Sequence, residues 1–291
     1  MSMGSSRFKG YLMAVVGSMS YGLNPLFALP LYAVGVTPMS VLFYRYGFTV
    51  VMMAAMMVIL RQSFHTTRRE LVLALAMGLL FALSSICLFL SFTFMDAGIA
   101  SVLLFTYPMF VALLSWLFFH ERLTPVAFIS FLIAFAGICC LHNTAGGKQS
   151  LVGVLLAIGS GLTYAVYIVG VNRSALRTMH TFSLTFYASL SGFVLFSMCC
   201  ALGKGLTPLH GAMEWGNAVG LAFFPTIVSL LLVTRAIHII GSTPAAIIGA
   251  LEPITALAVS MLVFGGTITW LNGVGIVMVL LAVCLMMWKG R

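Results

Sequence analysis

GYLMAVVGSMSY, at residues 10–21, returns 143 positions later as GVLLAIGSGLTY, at residues 153–164. Gly, Leu, Ala and Tyr occupy the same places in both copies, and Ser20 is answered by Thr163. The register continues beyond this stretch, because SVLFY at residues 40–44 is matched by SLTFY at the same spacing. Two matches at one offset indicate that the chain is built from two copies of one unit.

The composition is typical of a membrane protein. Of the 291 residues, 62% are hydrophobic and 7% are charged, whereas charged residues make up about 25% of a soluble domain. A helix needs roughly 20 mainly apolar residues to cross the bilayer. Ten segments meet this requirement, and in chain order they are Lys9–Leu29, Met39–Leu60, Leu71–Phe94, Ile99–Phe118, Val126–Leu141, Leu151–Val171, Phe182–Leu202, Asn217–Val233, Thr243–Phe264 and Leu271–Met287.

These ten spans divide into five per copy, over residues 1–145 and 146–291. Because five is odd, the second copy has to cross the membrane in the opposite direction to the first. Many transporters use inverted copies of this kind to build a binding site between the two halves. The sequence therefore predicts an all-α membrane protein, with ten transmembrane helices arranged as two inverted five-helix repeats around a central cavity.

The placement of Lys and Arg predicts the orientation, since these residues concentrate in cytoplasmic loops. With the N-terminus inside, Lys148 and Lys204 face the outside and Arg45 lies within span two. The other eleven basic residues are then cytoplasmic: Arg7, Lys9, Arg61, Arg68, Arg69, Arg122, Arg173, Arg177, Arg235, Lys289 and Arg291. Both termini are thus predicted to be cytoplasmic, in an inner (plasma) membrane. The net charge of +9 is explained by topology, and no nucleic acid partner is expected.

The sequence contains no motif of the common catalytic or metal-binding types, such as HExxH, GxSxG, a P-loop or CxxC. All six cysteines fall inside apolar spans, where a free cysteine behaves as a small hydrophobic residue. We therefore expect no cofactor, no metal site and no disulfide framework. Two other classes of function stay open as alternatives: an intramembrane enzyme acting on lipid-linked substrates, and a helical scaffold or sensor without substrate flux.

Several short motifs occur in an order that resembles the EamA family of the drug/metabolite transporter superfamily. They are Phe43-Tyr44-Arg45-Tyr46 in span two, Pro108 in span four, Phe119-His120-Glu121-Arg122-Leu123-Thr124 after it, and Leu251-Glu252-Pro253 in span nine. The family often repeats a Gly-Glu phrase after span nine, where this chain has Gly265-Gly266-Thr267. The resemblance implies a basket of helices around a cavity lined largely by spans one, three, four, six, eight and nine. It also implies transport of small molecules, but it names no cargo.

Polar residues on spans one and six indicate one wall of such a cavity. Tyr21 and Asn24 share a helical face by their spacing, and Pro25 directly after them is expected to kink the helix. The repeat offset carries this face to Tyr164 and Tyr167 in span six. Interfacial aromatic residues and small-residue packing would give the same pattern. We favour the cavity because the polar faces match in both copies.

Three serines are further candidates for binding a substrate: Ser84 and Ser85 in span three, and Ser229 in span eight. A hydroxyl within the membrane bonds its own helix backbone about as readily as it bonds a ligand. The sequence leaves both interpretations open.

Spans four and nine each carry a proline in mid-span. Tyr107 precedes Pro108 just as Glu252 precedes Pro253. A proline leaves a backbone carbonyl without its helical partner, and transporters use broken helices of this kind at binding sites. Tyr107 is therefore a candidate for the cavity wall.

Glu252 is the sharpest single signal in the sequence. It lies roughly 15 Å deep in span nine, which is close to the bilayer midplane. A bare carboxylate there is costly, so we expect Glu252 to be protonated, paired or in contact with water. The functional interpretation is a proton carrier or a counter-charge for a cationic group on the cargo. The structural alternative is a protonated carboxyl that joins two helices by a hydrogen bond.

Arg45 is the only basic residue placed within a span, and it lies near the outer end of span two. We expect its long side chain to extend to the lipid headgroups or to form a structural bond. The alternative is that it binds a carboxylate of the substrate. The sequence does not establish whether Arg45 and Glu252 lie close together.

Together these features predict a secondary transporter that exports small amphipathic metabolites, such as amino acids, by alternating access. The expected partners are a small-molecule substrate and the lipid bilayer, with proton coupling through Glu252. Export follows from the family resemblance alone, and uptake of similar compounds is the alternative. The sequence favours neither a monomer nor a homodimer.

Overall fold

The computed structural model describes residues 3–120, 124–142, 150–203, 205–241, 244–245, 248–266 and 268–289. Regular structure within these ranges is helical throughout. Several residues named above lie outside the described residues: Glu121, Arg122, Leu123, Lys148, Lys204, Thr243, Thr267 and Arg291.

The helices follow the predicted spans closely. In chain order they are α1 (Met3–Gly22), α2 (Asn24–Ala33), α3 (Pro38–Ile59), α4 (Arg68–Phe94), α5 (Ala97–Leu104), α6 (Tyr107–Phe119), α7 (Pro125–His142), α8 (Leu151–Asn172), α9 (Thr181–Leu202), α10 (Ala212–Ala222), α11 (Ser229–Ile240), α12 (Leu251–Phe264) and α13 (Trp270–Lys289). A short 3₁₀ turn, Ala175–Thr178, precedes α9, and a π-helical segment, Phe223–Val228, joins α10 to α11.

Within the described ranges, eight helical stretches are long and apolar enough to cross a membrane. Two shorter apolar helices, Pro125–Leu141 and Leu251–Phe264, coincide with predicted spans five and nine. The prediction of an all-α, multi-pass membrane protein is therefore confirmed. Ten crossings and the inversion of the two halves stay predictions.

Proline breaks three of the spans near their middle. Span one is interrupted at Leu23, so that Pro25 falls in the first turn of α2. Span four is interrupted between α5 and α6, with Pro108 again in the first turn. In span nine, α12 begins after a turn at residues 249–250, and Pro253 lies close to its start. The backbone N–H groups in the first turn of a helix have no carbonyl partner within the helix. Proline, which lacks this N–H, is therefore well tolerated there. The breaks expected from the sequence are confirmed.

Span eight is irregular without being interrupted. Its helix widens into the π segment Phe223–Val228, which contains Pro225. The Thr226 hydroxyl donates to the Leu221 carbonyl oxygen, five residues earlier, at 3.5 Å. A π segment is rare and often marks a functional site, since it turns side chains away from the regular helical register.

One end of the bundle is densely packed, and we call it the packed end. Its apolar cluster joins α2, α3, α4 and α5 through side chains that include Leu31, Leu42, Phe89, Ile99 and Leu103, all fully buried. All eight residues of α5 are buried. The segment that follows α9 also belongs to this end, because Leu209 inserts into the same cluster.

Candidate functional site

A cavity of about 370 Å³ lies where the broken helices meet. It extends from these breaks, away from the packed end, to the last turns of α11 and the first turns of α9. Every predicted span except five and ten contributes to its walls. The lining residues are Ser18, Tyr21, Arg45, Phe81, Tyr107, Tyr164, Tyr167, Thr185, Ala188, Ser189, Pro225, Thr226, Ser229, Leu230, Val233, Thr234, Ile237, Ala245, Gly249 and Glu252.

Four aromatic rings form one side of the cavity, and we call them the aromatic wall: Phe81, Tyr107, Tyr164 and Tyr167. The Tyr107 and Tyr164 rings meet edge to face, with 4.8 Å between their centroids. The Tyr164 ring stacks on the Tyr167 ring, with 5.9 Å between centroids. Phe81 of α4 packs against both rings of α8, at 5.9 and 5.3 Å. Contacts of this geometry hold rings in fixed positions. The wall therefore presents both edges and faces of aromatic rings, which an apolar group can contact.

Arg45 points into the protein, so the expectation that it extends to the lipid headgroups is wrong, whereas the expectation of a structural bond agrees with its contacts. Its side chain is only 3% exposed, and it lines the cavity. Its Nε donates to the Thr226 hydroxyl at 3.3 Å, and its guanidinium lies 5.3 Å from the centre of the Phe89 ring. These contacts hold it in the interior, because Thr226 supplies an acceptor and Phe89 supplies a cation–π surface.

Glu252 lies in the first turn of α12 and borders the same cavity. The Tyr21 hydroxyl, in the last turn of α1, accepts a hydrogen bond from the Arg45 side chain and is within electrostatic reach of Glu252. Among the described residues, the Glu252 carboxyl forms neither a hydrogen bond nor an ion pair with Arg45. The cavity thus brings together one guanidinium and one carboxyl group that do not pair with each other directly.

Ser229 and the π segment contribute polar groups to the cavity lining. Ser229 begins α11, directly after the π segment, and is 6% exposed. Pro225 and Thr226 of the π segment also line the cavity. The Thr226 and Ser229 hydroxyl groups therefore border the cavity together with the guanidinium of Arg45, which belongs to α3.

Three predicted site residues do not line the cavity. The Asn24 side-chain amide donates a hydrogen bond of 2.8 Å to the Tyr21 carbonyl oxygen. This bond bridges the break in span one at Leu23. The Ser84 hydroxyl bonds to Ser160 of α8, with its carbonyl oxygen at 2.9 Å. The Ser85 hydroxyl lies 2.7 Å from the Tyr46 hydroxyl oxygen. In each serine the hydroxyl joins neighbouring helices, so the packing interpretation accounts for both.

The sequence interpretation missed the wall contributed by span seven. Thr185, Ala188 and Ser189 all line the cavity. A signal for them existed, because Ala188 follows Arg45 by 143 positions and belongs to the SLTFYAS stretch that matches span two. The resemblance had placed the lining largely in other spans, and here spans two and seven also take part.

Known proteins similar to this chain are transporters whose cargo is not stated. It is 29% identical over 224 residues to the uncharacterized transporter sll1319 of Synechocystis sp., covering 74% of this chain and 66% of that protein. This chain is also 23% identical over 204 residues to the uncharacterized transporter YvbV of Bacillus subtilis. That match covers 68% of this chain and 65% of YvbV. The matches therefore span just under two thirds of the length of these two relatives.

A solved crystal structure shares the fold. It superimposes with a TM-score of 0.67 over 100% of this chain and 99% of the other, at 17% identity. The model of the EamA-like transporter family matches this chain twice, at residues 8–142 and 151–288, which correspond to the two sequence copies. The family resemblance drawn from the motifs is thus confirmed, and the chain belongs to the EamA-like transporter family.

Proposed function

We propose that this protein is a secondary transporter that exports small amphipathic metabolites, such as amino acids, by alternating access. The observation that carries the proposal is the cavity, which is lined by Arg45, by Glu252 and by the aromatic wall, and in which Arg45 and Glu252 form no ion pair among the described residues. A zwitterion offers one group of each charge, and the wall offers a surface for its apolar part. Sites with convergent polar groups on a mainly apolar lining are typical of small-molecule binding.

We infer that residues 1–145 and 146–291 are inverted halves with five spans each. The Tyr44 hydroxyl donates to the Thr207 carbonyl oxygen at 3.1 Å, and the Tyr187 hydroxyl donates to the Phe64 carbonyl oxygen at 2.7 Å. Both the two donors and the two acceptors are 143 positions apart. Each half thus makes the same contact with a loop of the other, which supports a two-fold relation between them.

In the orientation inferred from the basic residues, the packed end faces the outside of an inner membrane. The cavity then extends toward the cytoplasm, past Thr234 and Ile237. An exporter loads in this state, whereas an importer releases its cargo there. We propose export because of the family, and flux measured in right-side-out and inside-out vesicles distinguishes the two directions.

The orientation predicts where an introduced cysteine reacts. In a variant lacking the six native cysteines, Arg291→Cys should be labelled by a membrane-impermeant maleimide only after the membrane is opened. Lys148→Cys and Lys204→Cys should react in intact cells, because they lie on the side with few basic residues. Labelling of position 291 from outside would refute the proposed orientation.

The cavity predicts a second labelling pattern. Single cysteines at Tyr21, Tyr107, Tyr164 and Tyr167 should react with a small water-soluble thiol reagent, since these side chains line the cavity. A cysteine at Met19 serves as the matched control, because Met19 is 44% exposed on the apolar surface but does not line the cavity. Cargo should slow the reaction at the four tyrosine positions. Equal inertness at all five positions would mean that the tyrosines only pack helices together.

A further inference from the structure

We propose that Arg45 binds the carboxylate of the cargo, an inference that rests on the transport function proposed above. Arg45 lies near the middle of α3 and borders the cavity while being 3% exposed. Within the described part of the chain its guanidinium forms no ion pair. Its Nε donates to Thr226 and its guanidinium also donates to the Tyr21 hydroxyl, so both partners are neutral and neither supplies a negative charge.

A buried charge without a partner is costly, particularly within a membrane span. Proteins usually neutralise such a charge with a nearby carboxylate. Glu252 borders the same cavity but does not pair with Arg45. The arrangement therefore leaves the counter-charge of Arg45 to be supplied from within the cavity, where the cargo binds.

The contacts of Arg45 also leave it correctly oriented. Thr226 holds the Nε edge at 3.3 Å, and Phe89 covers one face of the planar group at 5.3 Å. A guanidinium has five N–H donors, so one held by Thr226 and Tyr21 keeps further N–H groups for a carboxylate. Thr226 is thus a positioning residue, which acts through Arg45.

A carboxylate fits this site better than a phosphate ester. A carboxylate carries a single negative charge, whereas a phosphate ester carries about two at neutral pH. Among the described residues, Arg45 is the only cationic side chain that lines the cavity. One guanidinium matches one carboxylate, and a second negative charge would face the apolar lining.

The experiment measures release from proteoliposomes that contain the full-length protein. They are loaded in parallel with the twenty protein amino acids, with the amines formed by decarboxylating them, and with sugar phosphates. Mass spectrometry then follows which compounds leave. We expect the parent to release compounds from the amino acid set. Arg45→Gln should slow this release at least tenfold, and Arg45→Lys should be intermediate because an ammonium lacks the planar pair of donors. Arg177→Gln, an exposed loop arginine, should release cargo like the parent.

The outcomes separate two kinds of failure. Release of no compound by the parent would contradict the transport function and this inference with it. Release of amines or sugar phosphates in preference to amino acids would overturn the assignment of a carboxylate while leaving transport intact. Normal release of amino acids by Arg45→Gln would show that transport is correct and that Arg45 does not bind the cargo.

A variant of Thr226 keeps the test decisive if Arg45→Gln fails to fold. Thr226→Val removes the acceptor that holds Nε but retains the shape of the side chain. We expect the cargo concentration for half-maximal transport to rise several-fold with little change in the maximal rate. Thr226→Ser should restore the parent value, because it restores the hydroxyl. An unchanged half-saturation concentration in Thr226→Val would contradict the positioning role.

Discussion

Replacing Glu252 with Gln should lower net export driven by a proton gradient at least tenfold and remove its dependence on pH, while exchange of cargo across the membrane continues. Glu252 is the only carboxyl side chain, among the described residues, that lines the cavity. A carboxyl that opens only to the cavity can exchange a proton with whichever side the cavity faces. Gln keeps the size and hydrogen-bonding groups of Glu but carries no exchangeable proton of this kind, so only the coupling should be lost.

Parallel measurements of net flux and exchange in proteoliposomes check this prediction. Glu214→Gln is the matched control, because Glu214 is at the start of α10 and does not line the cavity. If exchange of a zwitterionic cargo fails while exchange of its N-acetylated analogue continues, Glu252 binds the amino group instead of carrying a proton. If Glu252→Gln behaves like the parent for every cargo and pH, both functional interpretations are wrong and Glu252 only joins helices.

Replacing Gly22 with Leu should lower the free energy of unfolding by about 3 kcal/mol, the upper end of the usual range for overpacking. Gly22 ends α1, just before the break in span one. A Cβ there would collide with the Glu252 backbone carbonyl oxygen and lie 2.7 Å from the Thr255 Cβ. A backbone atom cannot rotate away as a flexible side chain can. Spans one and nine would have to separate, and transport should be lost with the geometry of the cavity.

Gly159→Leu is the matched control for this substitution, since a Cβ at Gly159 would have no neighbouring heavy atom within 4 Å. It replaces glycine by leucine in a helix of similar length and so removes differences in helix propensity. Unfolding in detergent micelles, followed by circular dichroism during an SDS titration, gives both free energies. Comparable stability of the two variants would mean that the contact between Gly22 and α12 is not close in solution.

Hydropathy predicted the helices well because each membrane helix has to satisfy its own backbone within an apolar stretch. Span six, expected at Leu151–Val171, is found at Leu151–Asn172. Span eight was expected at Asn217–Val233 but extends over residues 212–240, since the hydropathy pattern stops at Glu214 and Arg235 whereas the helix continues past both.

The site was predicted where the repeat supplied a second observation. Tyr21 and Tyr164 are at corresponding positions, and both line the cavity. Arg45 was misplaced because distance along a helix gives depth but not the direction of a side chain. Ser84 and Ser85 failed for a different reason. A serine hydroxyl bonds equally well to a neighbouring helix or to a ligand, and only the positions of Ser160 and Tyr46 decide between them.

The pairing of Arg45 with Ala188 across the repeat bears on how such a protein can evolve. Both residues line the cavity, yet only one of them is charged. Two identical five-helix chains, assembled as an inverted pair about a two-fold axis, would have to present each charge twice and could not distinguish one end of a cargo from the other. A single fused chain is free of that symmetry. It can keep an arginine in one copy, an alanine in the other and a carboxyl on a third helix, so that the cavity has a fixed electric polarity.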